Sequence, residues 1–259
     1  MITRDRLITT LRQALESSAE VDAAWEGGSA AFGTHDEYSD IDAVAVVADE
    51  AVVATFERVE SALAALSPVA LRYDVPGTAG YHQKFFHLQG TPEHLVIDMV
   101  LFQRSAPLQF RAVELHGRGP VWFDRQGLLR EEHLDVEQDQ AQARARVPQL
   151  RAAFAMFQHL ATKERLRGRA VDALAFYQAA TMRPLVEALR LLHCPEKRGF
   201  GLRYVQRDLP AEVAQRVTEL SFVASLDDLA AKHAQAQAWF WQLMAELEAR
   251  GPGAAAVKA

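Results

Sequence analysis

The sequence lacks the features that mark secreted, membrane-spanning and nucleic-acid-binding proteins. Its single cysteine, Cys194, excludes a disulfide within the chain. The formal net charge of −6 gives no overall attraction to nucleic acid. The most apolar stretch, residues 43–53, is interrupted by Asp49 and Glu50 and does not form a membrane span. The N-terminal residues lack the apolar core of a signal peptide, so we expect a cytoplasmic protein with neither membrane nor nucleic-acid partners.

The sequence does have the composition of a folded protein. Hydrophobic residues make up 49% and charged residues 24% of the 259 positions, which is ordinary for a globular chain and excludes extensive disorder. This length suits one large domain or two modest ones. Cys194 follows Leu191 and Leu192, and we interpret it as a small buried hydrophobic residue rather than a nucleophile.

The first half of the chain carries both helical and strand patterns. Helical spacing of apolar residues predicts amphipathic helices over residues 3–18 and 50–66. Runs of β-branched and apolar residues, bounded by Gly and Pro, predict strands. These strands cover residues 21–26, 41–48, 69–74, 84–89 and 94–102, with 120–124 as a short edge strand. The pattern predicts an α/β domain over residues 1–132.

The second half is rich in residues that favour helices, mainly Ala, Gln, Arg and Leu. Helices are predicted over residues 136–167, 170–193, 210–220 and 226–249, with Pro184 as a kink. The predicted fold class is therefore α+β: a small mixed sheet with flanking helices, followed by an all-α helical bundle. The bundle is expected to cover residues 133–250, and residues 251–259 are expected to form a flexible tail.

A glycine-rich turn follows the first predicted strand. Gly27 and Gly28 let the backbone approach a ligand closely, and Ser29 adds a hydroxyl group. The N–H groups of such a turn can bind a phosphate or another anion. Because Gly-Gly-Ser is also a common turn sequence, this segment alone favours an ordinary turn over a phosphate site.

Two aspartates open the second predicted strand. Asp40 and Asp42 are two residues apart, and residues i and i+2 of a strand point to the same face. Their carboxylates repel each other unless a cation compensates, and Mg²⁺ prefers oxygen ligands of this kind. The alternative is that Asp40 is a turn residue and only Asp42, which precedes an apolar strand, needs an explanation.

A third acid interrupts the apolar pattern of residues 94–102. Asp98 lies between Ile97 and Met99, and a buried carboxylate without a partner is costly. Either a basic residue or a metal ion must compensate it. If the two strands are neighbours, Asp98 joins Asp40 and Asp42 in a site for one or two Mg²⁺ ions.

The segment GSAAFGTHDEYSDID, residues 28–42, together with Asp98 resembles the signature of the DNA polymerase β-like nucleotidyltransferase superfamily. That signature contains a Gly-Ser pair, a later Gly, an acid-x-acid pair that opens a strand, and a third acid on a later strand. The matching positions are Gly28, Ser29, Gly33, Asp40, Asp42 and Asp98. The predicted helical half looks like the bundle attached to antibiotic nucleotidyltransferases and related small bacterial members.

The resemblance implies an NTP-dependent nucleotidyltransferase whose catalytic domain covers residues 1–132. Asp40, Asp42 and Asp98 would be the catalytic residues and would hold two Mg²⁺ ions, and Asp98 would help to deprotonate the acceptor. The residues expected to bind the NTP in this domain are Gly28, Ser29, Gly33 and Ser39. The acceptor hydroxyl would attack the α-phosphorus in line, and pyrophosphate would leave.

The chain departs from the family pattern between the second Gly and the acid pair. Many members carry a basic residue there, whereas residues 34–38 of this chain are acidic. The triphosphate would then be neutralised from elsewhere. Lys163, with Arg167 four residues later in the helical half, is our candidate for this contact, and a solvent-facing pair is the equal alternative. Residues 198–204 could contact nucleotide or acceptor, or form a packed connection between helices.

The leading functional hypothesis is transfer of a nucleoside monophosphate, AMP from ATP, to a hydroxyl group of a small molecule. A cationic acceptor would suit the net acidity of the chain. The alternatives are a protein-modifying, antitoxin-like adenylyltransferase and a non-catalytic nucleotide-binding sensor. A nucleic-acid-directed polymerase is disfavoured by the lack of basic clusters. The sequence leaves open whether the chain forms a homodimer.

Overall fold

The computed structural model describes residues 2–77, 80–109 and 111–254, and the chain divides into two compact units, residues 1–134 and residues 135–259. Neither unit contains a described helix long and apolar enough to cross a membrane. The first unit is a sheet with flanking helices, and the second is all-helical within the described residues. This architecture confirms the predicted α+β fold class.

The first unit contains six strands and four helices among its described residues. In chain order they are α1 (Arg4–Glu16), β1 (Val21–Glu26), α2 (Gly28–Ala31), β2 (Ile41–Val47), α3 (Val52–Ala64), β3 (Val69–Asp74), β4 (Tyr81–Leu88), β5 (Ile97–Gln103), α4 (Val113–His116) and β6 (Val121–Asp124). The strand order across the sheet is β3-β4-β5-β2-β1-β6. The sheet is mixed because β2 and β5 run parallel while the other neighbours run antiparallel.

One face of this sheet is covered by α1 and α3. Their apolar positions, spaced at three and four residues, pack against alternate residues of the central strands. The packed set includes Leu7, Leu11, Leu15, Phe56, Val59, Leu63, Ile41, Ala43, Ala45, Ile97, Met99 and Leu101. Because strand side chains alternate, Asp42 and Asp98 belong to the opposite face of the sheet.

Two strands begin three residues away from their predicted starts. β4 begins at Tyr81, three residues before the predicted start, because Tyr81 pairs with Phe102 of β5. β5 begins at Ile97 rather than at residue 94, because Leu95 donates a backbone hydrogen bond to Pro92 in the preceding turn. Both differences arise from pairing and turn contacts that hydrophobic periodicity does not register.

The second unit contains seven α-helices among its described residues. They are α5 (Val136–Phe157), α6 (His159–Leu166), α7 (Ala170–Phe176), α8 (Arg183–His193), α9 (Val205–Asp208), α10 (Ala211–Ser221) and α11 (Leu226–Arg250). A π-helical segment, Tyr177–Met182, joins α7 to α8 just before Pro184. The irregularity predicted at Pro184 is therefore a wide helical turn that ends two residues before this proline.

A buried cluster of charged side chains connects α8 to α9 and to the segment between these two helices. Arg190 and Asp208 are 0% exposed and form an ion pair at 2.9 Å, and Lys197 and Arg207 contact the same carboxylate. Arg190 also donates to the carbonyl oxygens of Gly201 and Arg203. Of the predicted tail, residues 255–259 lie outside the described residues, and Gly253 donates a 2.8 Å hydrogen bond to the carbonyl of Leu191.

Candidate active site

The register of the two parallel strands places the second and third acids side by side. Asp42 of β2 is the direct partner of Asp98 on β5, one residue into each strand. Asp40 precedes β2 and is exposed, whereas Asp42 and Asp98 are half-buried. The adjacency on which the three-acid hypothesis depends is therefore present, at the edge where β2 and β5 begin.

The glycine turn lies directly against Asp42. The Gly27 N–H donates a 2.8 Å hydrogen bond to the carbonyl of Asp42. Gly28 has a φ of +55°, and a Cβ atom placed on it would lie 1.6 Å from Oδ2 of Asp42. A side chain at this position would displace the carboxylate of Asp42. The turn and the acid pair thus form one continuous surface.

Ser29 contributes a hydroxyl group that is buried and has no hydrogen-bond partner. Buried polar atoms are normally paired, and an unpaired one calls for a reason such as a ligand. The carbonyl of Ser29 accepts from Thr34, so the backbone of the turn is held while the side chain is not. Gly33, with a φ of +64°, ends α2.

Ser39 closes the loop that leads into the acid pair. Its hydroxyl accepts from the N–H of Asp36 at 2.9 Å and donates to the Asp36 carboxylate at 3.0 Å. The same carboxylate accepts from the N–H of Tyr38. The contacts of Ser39 belong to a turn, and its predicted nucleotide contact stays a prediction.

The pKa values of Asp42 and Asp98 differ from those of ordinary surface carboxylates. Burial, and then the charges of Asp40, Asp98 and Glu26, raise the pKa of Asp42 to about 7, while Arg4 acts in the opposite direction. Burial also raises the pKa of Asp98, opposed by a hydrogen bond from Gln83 and assisted by the charge of Asp40. Burial, assisted by the repulsion from neighbouring acids, therefore shifts both carboxyl groups towards the protonated form.

Gln83 is a site residue that sequence reasoning missed. Its side-chain amide donates to both oxygens of Asp98, at 2.8 and 2.9 Å. It reaches them from β4, where it occupies the same face of the sheet, two residues from the strand partner of Asp98. A glutamine in a strand of mixed polarity carries no signal that would have identified this role.

Arg4 and Glu26 were also missed. Glu26 ends β1 and is buried, and it forms an ion pair with Arg4 from the first turn of α1. The same guanidinium group donates to the main-chain carbonyl of Asp40 at 3.3 Å. Glu26 could have been noticed as a charged residue at the end of a largely apolar strand. The sequence alone does not show that Arg4 is its partner.

The residues present fit a phosphate-bearing ligand and a divalent cation in their chemistry. The buried Ser29 hydroxyl has no partner, Gly28 leaves the turn open beside Asp42, and the nearby carboxylates repel one another. Within the part of the chain that the structure describes, no group of three or more His, Cys, Asp or Glu side chains is arranged to hold a metal ion.

Two predicted contacts fall in the second unit. Lys163 lies on α6, 4.0 Å from the carboxylate of Glu164, and its triphosphate contact stays a prediction. Residues 198–204 form part of a packed connection, because buried Arg190 binds two of its carbonyls and Arg198 pairs with Asp139 at 2.6 Å.

Comparison with known proteins gives similarity in structure only. No protein-family model and no curated protein sequence matches this chain. An aminoglycoside 6-adenyltransferase from Bacillus subtilis matches with a TM-score of 0.38 and 13% identity, covering 100% of this chain and 94% of that one. A STING-associated CdnE c-di-GMP synthase from Capnocytophaga granulosa matches with a TM-score of 0.31 and 11% identity, covering 95% and 80%. TM-scores of this size carry no functional assignment, so the function has to be argued from the residues of the site.

Proposed function

We propose that this protein is a metal-dependent nucleotidyltransferase that transfers a nucleoside monophosphate, AMP from ATP, to a hydroxyl group of a small molecule. The observation that carries the proposal is the contact between the glycine turn and Asp42. A turn that admits no side chain at Gly28 lies beside a buried, unpartnered Ser29 hydroxyl, and both adjoin a carboxylate surrounded by like charges. An NTP with its divalent cation supplies what each of these groups lacks.

The turn is proposed to bind the β- and γ-phosphates. The positive φ of Gly28 turns the backbone into a conformation in which successive N–H groups can face an anion. The Ser29 hydroxyl would donate to a phosphate oxygen and so acquire the partner it lacks. Gly33 ends α2 and Ser39 closes the following loop, and together they bring the acid pair back to this turn.

Asp40, Asp42 and Asp98 are proposed to hold Mg²⁺ in the loaded enzyme. When bound, the metal would stabilise the charge that develops on the entering and leaving oxygens. The acceptor oxygen forms a bond to the α-phosphorus, the bond from the α-phosphorus to the bridging oxygen breaks, and pyrophosphate leaves. The acceptor proton is proposed to pass to Asp98 as the general base.

The acceptor is proposed to be cationic. The loop before the acid pair contains Asp36 and Glu37, and both residues are exposed on the approach to Asp40. Acidic groups at the mouth of a site raise the local concentration of a cationic substrate. A protein acceptor and a non-catalytic sensor role remain as outcomes of the experiment below.

The test is pyrophosphate release from each NTP with Mg²⁺ and a panel of cationic, neutral and protein acceptors. We expect turnover with a small cationic acceptor, and Asp42→Asn should lower it at least ~1,000-fold while leaving the circular dichroism spectrum unchanged. Glu57→Gln, an exposed change on α3, is the control and should keep full activity. Tight NTP binding without turnover on any acceptor would favour the sensor, and full activity of Asp42→Asn would refute the site.

A further inference from the structure

Arg4 joins the two segments that form the proposed site. Its guanidinium group pairs with the Glu26 carboxylate, at the residue just before the glycine turn. It also donates to the main-chain carbonyl of Asp40, at the start of the acid pair. One side chain from α1 therefore contacts both the segment proposed to hold phosphate and the segment proposed to hold metal.

The placement of this arginine is unfavourable on local grounds. It lies in the first turn of a helix, where the helix dipole disfavours a positive charge. Its side chain is only 18% exposed and that of Glu26 only 5%, so both charges are largely removed from water. Its Nε atom is buried without a hydrogen-bond partner. Each of these features costs stability in the absence of a compensating role.

Stability alone is a weak explanation for such a pair. Burying an ion pair carries a desolvation free energy that the Coulombic attraction often does no more than offset. Replacing both partners by apolar residues is frequently neutral or stabilising. A fixed geometry is the other property that a buried ion pair can supply. Arg4 supplies it through two different contacts, one to a side chain and one to the main chain.

From this geometry we infer that Arg4 is a positioning residue that sets the separation between the glycine turn and the acid pair. The inference rests on the proposed function. Arg4 reaches the site from the face of the sheet that α1 covers, and Glu26 shares this face because it pairs with Ala43 of the core. Asp42 points to the opposite face of the sheet, so Arg4 contacts the backbone of the site from the face that does not carry the acids.

The expected consequence is thermodynamic coupling between nucleotide and metal. A ligand that contacts both segments binds best when their separation is already set, because less ordering remains to be done on binding. Loss of Arg4 should therefore weaken the effect of Mg²⁺ on nucleotide affinity more than it weakens the binding of nucleotide alone. Coupling of this kind is reciprocal and measurable as a ratio of two affinities.

The experiment measures the affinity of the full-length protein for a non-reacting ATP analogue by calorimetry, with and without saturating Mg²⁺. The ratio of the two affinities is the coupling factor. Arg4→Met combined with Glu26→Met removes both charges together and should stay folded. Arg4→Lys keeps the positive charge opposite Glu26. Its single ammonium nitrogen replaces the planar guanidinium group, which donates to both Glu26 and the carbonyl of Asp40. Arg12→Met, which alters an exposed arginine of the same helix, is the matched control.

We expect the coupling factor to fall at least tenfold in the double variant and at least threefold in Arg4→Lys, with no change in Arg12→Met. In turnover, the two Arg4 variants should lower kcat with little change in the KM of the acceptor. A folded double variant with the wild-type coupling factor overturns the inference and leaves the proposed function standing. If the double variant does not fold, an unchanged factor in Arg4→Lys overturns it.

Failure of the proposed function gives a different result. In that case the wild-type protein shows neither Mg²⁺-dependent binding of the analogue nor pyrophosphate release, and the inference falls with it. If the wild-type protein binds the analogue more tightly with Mg²⁺, a variant without loss of coupling contradicts only the role of Arg4 and not the proposed function.

Discussion

Gln83 donates its side-chain amide to both carboxylate oxygens of Asp98, at 2.8 and 2.9 Å. This contact lowers the pKa of Asp98, while burial, the larger effect, raises it. The net result is a raised pKa for Asp98, with the Gln83 hydrogen bond opposing the effect of burial. In the proposed reaction, this contact controls the pH at which Asp98 can accept a proton.

The first prediction concerns this contact. Gln83→Leu should raise the pKa of Asp98, because burial then acts without the opposing hydrogen bond. The acidic limb of the pH profile of kcat/KM for pyrophosphate release should therefore move to higher pH. Gln89→Leu changes an exposed residue just after β4 and should leave the limb in place, and an unmoved limb in Gln83→Leu contradicts the prediction.

The second prediction separates steric exclusion from backbone strain in the glycine turn. Gly28 and Gly33 both have positive φ, so alanine strains the backbone at either position. Only at Gly28 does the new Cβ meet Asp42, at 1.6 Å, whereas at Gly33 it meets nothing within 4 Å. Gly28→Ala should abolish nucleotide binding, whereas Gly33→Ala should cost ~1 kcal/mol of stability and keep binding. Equal binding by the two variants would show that the carboxylate moves aside without consequence.

The third prediction is a pH-dependent stability change. Burial raises the pKa of Asp42 from its ordinary value of 3.8 to about 7 in the folded protein. A group with a raised folded pKa contributes stability that is present below the unfolded pKa and is lost as pH rises through the folded pKa. Asp42→Asn should therefore stabilise the metal-free protein at pH 8, by ~1–2 kcal/mol, and have little effect near pH 4.

Thermal unfolding of wild type, Asp42→Asn and Glu57→Gln in a chelating buffer from pH 4 to 8 tests the third prediction. Glu57→Gln changes an exposed carboxylate on α3 and should show no comparable trend. A stability difference for Asp42→Asn that is the same at pH 4 and pH 8 would mean that the Asp42 charge is not the cause.

The fourth prediction concerns the second unit. Asp208 is buried with Arg190, Lys197 and Arg207 on its carboxylate, so Asp208→Ala leaves a buried arginine without its counter-charge. This change should destabilise the protein by ~3–5 kcal/mol in chemical denaturation. Glu248→Ala breaks the exposed pair with Arg151 and should cost less than ~1 kcal/mol. Similar losses for the two variants would remove the special role of the buried cluster.

The sequence by itself determined most of the local structure and half of the site. Runs of apolar and β-branched residues placed β1 and β3 at their observed bounds and predicted that Asp40 and Asp42 lie where β2 begins. Glycine at position 28 predicted a turn that allows close approach of the backbone, and the backbone of Gly28 lies against Asp42. These features could be predicted because each depends on the conformation of a few consecutive residues.

Only the tertiary structure decided what surrounds the acids. The pairing of β2 with β5 places Asp42 opposite Asp98, although the two residues are far apart in the chain. Gln83 reaches Asp98 from another strand, and Arg4 reaches Glu26 from a helix. The physical reason is that strand order and helix packing follow from hydrogen bonding and apolar burial over the whole unit. The spacing of apolar residues along one strand or helix indicates which face each side chain takes. It contains no information on which distant side chain lies on the same face.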